Sequence, residues 1–84
     1  MSFEEKLKQV VDIMTRVSGD TTVPRNIRRA ASEAMVALLK KDEDLVVRAA
    51  SARITLEEIS SDSNMPIHAR TQIWSALSIL ETIK

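Results

Sequence analysis

Three arginines crowd one short stretch of this 84-residue chain, Pro24-Arg25-Asn26-Ile27-Arg28-Arg29. If Pro24 opens a helix, Arg25, Arg28 and Arg29 lie three and four residues apart and share a face in its first turn and a half. The helix dipole disfavours a cation there by ~0.3–1 kcal/mol, so the cluster asks for a reason. Together with the free backbone N–H groups of a helix start, guanidinium groups can hold a phosphate or a carboxylate. The plainer reading is internal pairing, with Asp20 and Glu33 as counter-ions and Arg29–Glu33 as an i,i+4 pair. His68 and Arg70 follow Pro66 in the same manner. The candidate partner or anion contacts are therefore Arg25, Arg28, Arg29, His68 and Arg70.

Little else in the chain could do chemistry. There is no cysteine, which removes disulfides, thiol nucleophiles and iron–sulfur clusters, and the single histidine excludes any site built on two imidazoles. Asp42-Glu43-Asp44 offers three carboxylates, but no glycine or loop ligand of a calcium motif accompanies them, and helix capping with dipole compensation accounts for the run. Phe3 and Trp74 are the only aromatics, too few for a base-stacking surface. Twelve basic and twelve acidic residues cancel, so no overall field draws the protein to nucleic acid or an anionic membrane. No apolar run approaches the ~20 residues of a membrane span, and a cytoplasmic protein is expected. No nucleophile–base–acid set assembles, so no enzyme activity, cofactor or metal is expected.

The elements that must position these residues are helical. Phe3, Leu7, Val10, Met14 and Val17 step by four and three, with a Ser2/Glu5 capping box before them and Gly19 at the stop. Ile27, Ala30, Ala31, Ala34, Leu38 and Leu39 repeat the pattern from about Pro24 to Lys40. Leu45, Ala49, Ala52, Leu56 and Ile59 repeat it from about Asp44 to Ser60. Ile73, Trp74, Leu77, Leu80 and Ile83 carry it from about Pro66 to Ile83, which places Trp74 in the core. The fifteen valines and isoleucines favour strands mildly, but no stretch alternates with period two. The expectation is an all-α fold.

Shifted by 42 residues, the chain aligns Ser18 with Ser60, Asp20 with Asp62, Pro24 with Pro66, Arg28 with Arg70, Ala34 with Ala76 and Leu38 with Leu80. Residues 1–84 thus read as a single domain of two antiparallel helical hairpins, 1–42 and 43–84, HEAT-like or closed as a bundle. Asp42 to Ala50 is similar to the Asp…Val-Arg-x-x-Ala pattern of HEAT-type repeats. Two repeats fall short of an open solenoid, so the halves must close on each other or pair with a second chain.

The block Asp20-Thr21-Thr22-Val23-Pro24-Arg25-Asn26-Ile27-Arg28-Arg29-Ala30-Ala31 resembles the hallmark of a family of short archaeal proteins with no assigned activity. Asn64-Met65-Pro66-Ile67-His68-Ala69-Arg70-Thr71 resembles its second hallmark, and the ending Leu80-Glu81-Thr82-Ile83 fits it too. The resemblance spans essentially the whole chain. It implies a cytoplasmic, all-helical archaeal protein and no catalytic residues. Residues and resemblance together lead to a small helical protein-interaction or self-associating module, a homodimer among the options. The runner-up is a nucleic-acid or ribosome-associated protein that uses the arginine-rich helix start.

Overall fold

The computed structural model describes residues 2–84 and contains four helices: α1 (Phe3–Ser18), α2 (Arg25–Leu38), α3 (Leu45–Ile59) and α4 (Ile67–Leu80). The Ser2 hydroxyl accepts from the Glu5 backbone N–H, and the Glu5 carboxylate accepts from the Ser2 N–H, both at 3.2 Å, closing the expected capping box. The other three helices start differently. Pro24, Asp44 and Pro66 each take the flanking position in one extended conformation (ψ 150°, 144° and 150°), and none gives a side-chain cap. The prolines therefore stand one residue outside the helices they were expected to open. The carboxylate of Asp44 does not cap α3; Glu43 instead lies 3.7 Å from Lys40.

Periodicity overruns two helix ends. α2 stops at Leu38 rather than Lys40, and α4 at Leu80 rather than Ile83. The chain continues in turns closed by Thr82 N–H to Ile79 O and Ile83 N–H to Leu80 O, so Ile83 stays buried without being helical.

α1 packs on α2 and α4, and α3 packs on α2 and more sparingly on α4, so the helices form a closed ring. Contacts from Asp20 to His68 and from Asn26 to Asp62 put the α1–α2 and α3–α4 loops at the same end. The α2–α3 loop must then lie at the opposite end, and each helix runs antiparallel to its neighbours. One core of Val10, Met14, Val17, Ile27, Leu38, Leu56, Ile73 and Leu80, interleaved with alanines of α2, α3 and α4, runs through the ring. Val23 and Met65 seal its upper end from the two loops. Among the described residues no polar or charged side chain is buried.

Trp74 corrects the sequence reading. It is 56% exposed, because Ile73, Ala76, Leu77 and Leu80 define the inward stripe of α4 and Trp74 falls one step outside it.

Candidate functional site

The polar residues concentrate where the first and third loops meet. The Asp20 carboxylate accepts from the backbone N–H of Thr22 (2.9 Å) and from its hydroxyl (2.6 Å), and 42 residues on, the Asp62 carboxylate accepts from the N–H of Asn64 (2.8 Å). Each aspartate uses its second oxygen to reach the other half of the chain: Asp20 Oδ2 lies 2.9 Å from His68 Nε2, and Asp62 Oδ2 accepts from Asn26 Nδ2 at 2.8 Å. Asn26 and His68 are themselves 42 residues apart, so the two clasps occupy matching places. The Thr22 donors, helped by His68, hold the Asp20 carboxyl below the usual carboxylate range. The Asn64 N–H, then the Asn26 amide, does the same for Asp62.

Thr22 Oγ1 also lies 3.3 Å from His68 Nε2, which gives hydroxyl, imidazole and carboxylate in one cluster. The hydrogen placement runs against nucleophilic catalysis. The carboxylate only accepts, so Nε2 carries its hydrogen, and the threonine hydroxyl already donates to Asp20. An imidazole that donates through this nitrogen has no lone pair there to receive a proton from the hydroxyl. The cluster ties loops together.

The arginine set divides. Arg28 Nε donates to Val23 O at 2.9 Å, and Arg70 donates to Ser60 O and, at 2.7 Å, to Asp62 O. Both are half-buried and turned toward the loop before their own helix. Arg25, Arg29 and His68 remain exposed, and Arg29 makes no ion pair with Glu33 among the described residues. The expected shared face of Arg25, Arg28 and Arg29 is thereby lost, since the middle arginine folds back to the chain. Arg48, absent from the candidate set, belongs with Arg28 and Arg70: its Nη1 donates to Leu38 O at 3.0 Å. Each of the three is the fourth residue of its helix, and the spacings are 20 and 22 residues.

The loops repeat with them. Asp20, Lys40 and Asp62 donate to Val17, Ala37 and Ile59, and Val23, Glu43 and Met65 donate back to Asp20, Lys40 and Asp62. The unit that recurs is one loop with the helix it opens, three times over, and the 42-residue register is two such units added.

Against known proteins, the model of an uncharacterised protein family, UPF0147, matches residues 1–83. The chain belongs to UPF0147. A UPF0147 protein of Methanocaldococcus jannaschii is 54% identical over 96% of this chain and 87% of its own length. One from Pyrococcus furiosus is 51% identical over 99% and 90%. The crystal structure of a protein of unknown function, MMP1188, superposes with a TM-score of 0.94 at 52% identity, covering 99% of this chain and 94% of that one. A UPF0147 crystal structure from Thermoplasma acidophilum gives 0.91 at 31% identity, covering 96% and 95%. These relatives establish the archaeal family and the four-helix fold.

The UPF0147 fold also exposes a surface that the sequence stripes do not reveal. Large apolar residues stand exposed on every helix, Phe3 on α1 and Val36 on α2 among them, but most of them lie on α3 and α4. Val47 and Ile54 on α3 and Ile67 and Trp74 on α4 are all about half exposed or more, Ile67 at 83%. The signal was present in the sequence: α4 holds no acidic residue, and its one arginine is Arg70.

Proposed function

We propose that this protein is a non-catalytic, cytoplasmic protein–protein interaction module whose contact surface is the outward side of α3 and α4. The observation that carries the reading is that Val47 and Ile54 on α3 and Ile67 and Trp74 on α4, all large apolar side chains, stand about half exposed or more on the outside of the bundle. The outward residues of α1 and α2 are mostly polar, among them Glu4, Lys8, Asp12, Arg16, Arg25, Arg29 and Glu33, with Phe3 and Val36 the exposed large apolar ones. Trp74 lies in the open on the other side, and tryptophan is the residue type most often found at the energetic centre of an interface.

The alternative, nucleic-acid binding through the arginine-rich helix start, draws on Arg25 and Arg29 alone. Arg28 and Arg70 spend their donors on backbone carbonyls. Among the described residues no helix is long and apolar enough to cross a membrane.

The test is a pull-down with the tagged chain and its Trp74→Glu variant from a nuclease-treated extract of an archaeon that carries the family. Protein retained by the wild type and lost with Trp74→Glu supports the reading. Retention by both proteins, or recovery only of salt- and nuclease-sensitive material, overturns it.

A further inference from the structure

We propose that two copies of this chain exchange hairpins. The α2–α3 loop opens, α2 runs on into α3 as one helix, and the α1–α2 pair of each copy closes on the α3–α4 pair of the other. The exchange leaves the outward residues of α3 and α4 uncovered, so it stands apart from the reading of those residues as a contact surface.

The middle loop lacks what breaks the helix at the other two. In the first and third loops an aspartate, Asp20 or Asp62, accepts from the backbone N–H two residues on, and a proline, Pro24 or Pro66, precedes the next helix. Lys40 and Asp44 hold those two places in the middle loop. Lys40 has no carboxylate to close a turn, and Asp44 gives no side-chain cap. From Leu39 to Asp44 there is no glycine or proline, and no described residue has a positive φ. Leu39-Lys40-Lys41-Asp42-Glu43-Asp44 is a stretch that a helix can absorb. Fusing α2 to α3 pairs the N–H groups of residues 42–47 with the carbonyls four residues before them.

The register across the loop suits one continuous helix. α2 brings Ala31, Ala34 and Leu38 to the core, and α3 brings Leu45, Ala49 and Ala52. From Leu38 to Leu45 is two helical turns, so a fused helix carries the stripe across with a drift of about 20°. Both halves of the stripe then face the same side of a helix that runs from Arg25 to Ile59, about 50 Å long. Two such helices, antiparallel about a two-fold axis through their middle, regain between copies the α2–α3 packing of the closed chain. The Asp20–His68 and Asn26–Asp62 clasps re-form in the same way. The new contact is the middle itself, where Lys40-Lys41 of one copy lies alongside Asp42-Glu43-Asp44 of the other, a basic pair against an acidic run.

One bond belongs to the closed form alone. Arg48 Nη1 reaches Leu38 O at 3.0 Å only because the loop turns back. In the fused helix Leu38 O receives the Asp42 N–H, and Arg48 stands about 15 Å further along.

The test holds the purified chain at millimolar concentration just below its unfolding midpoint, cools it, and separates the species by size-exclusion chromatography with light scattering. A dimer of twice 9.4 kDa is expected, and it persists on dilution because its halves part only by unfolding. Amide hydrogens of residues 42–47 should exchange with deuterated water at least about 100-fold more slowly in the dimer than in the monomer. Asp44 has φ −60°, the value proline requires, and its N–H donates to no backbone carbonyl, so Asp44→Pro fits the closed loop and breaks the fused helix. It should abolish the dimer with the monomer's helicity unchanged. Arg48→Met, which removes the bond of the closed form, should raise the dimer fraction. Should Asp44→Pro fail to fold, Lys41→Gly with Asp42→Gly serves in its place and should raise the dissociation constant about 100-fold.

A chain monomeric throughout overturns the proposal. So does a dimer whose loop amides exchange as fast as the monomer's, one that withstands Asp44→Pro or the paired glycines, or one that Arg48→Met does not favour.

Discussion

Asp20 and Asp62 show how much a single residue type reveals and hides. The identity of the two positions across 42 residues is visible in the chain, and so is the aspartate–x–threonine or asparagine spacing that favours a turn. What each second carboxylate oxygen does is not legible, because Asn26 and His68 reach it only once the halves have packed. The same holds for the arginines: type and place are read directly, but not whether a guanidinium points to solvent or folds back on a carbonyl. A pH dependence follows from the two aspartates. Both carboxyls are held lower in the folded protein than their ordinary value of 3.8, so each stabilises the fold fully above that range and loses its contribution as the pH falls through the folded value. Asp62→Asn should therefore be less stable than the wild type at pH 7, with the gap closing in strong acid. Urea denaturation at a series of pH values measures it; a gap that stays constant to pH 2 would count against the Asp62 contacts.

At the scale of elements, two of the three fourth-position arginines explain their own awkward placement. A cation in the first turn opposes the dipole of its own helix, but Arg48 and Arg70 donate to the last carbonyls of the helix before, Leu38 O and Ser60 O, where a cation is favoured. Each such arginine joins the end of one helix to the start of the next. Arg48→Met should then cost about 1–2 kcal/mol, because Leu38 O loses a charged donor in a half-buried setting. Arg25→Met, at an exposed position of a neighbouring helix start, should stay within about 0.5 kcal/mol. Equal effects would mean that the arginine contacts contribute nothing of their own. Arg48 escaped the sequence reading because the 42-residue comparison sets helix two against four and one against three. A shift of 20 residues sets Arg28 on Arg48. Trp74 escaped it for another reason: beside Ile73, either residue could begin the stripe, and only the inward set of Ala69, Ile73, Ala76 and Leu80 decides which.

For the molecule as a whole, the four helices and their antiparallel order were readable because periodicity, capping and loop residues all pointed to the same elements. Which side would be left bare was not, since stripes report what a helix could bury and not what the ring has room for. The ring also has two unlike ends. Two clasps, Asp20–His68 and Asn26–Asp62, bind the first loop to the third. At the other end stands one loop, with Arg48 on Leu38 O and an exposed Lys40–Glu43 pair, and nothing that ties it across to α1 or α4 among the described residues. The core that joins the two ends is purely apolar and offers no directional bond to resist opening. Thermal fluctuations should accordingly begin at the unclasped end, so that exchange of backbone amide hydrogens with deuterated water is fastest around Leu38–Val47 and in the last turn of α4. It should be slowest where Val17, Ile27, Leu56 and Ile73 close over the clasped half, giving a protein of 84 residues a direction in which it comes apart.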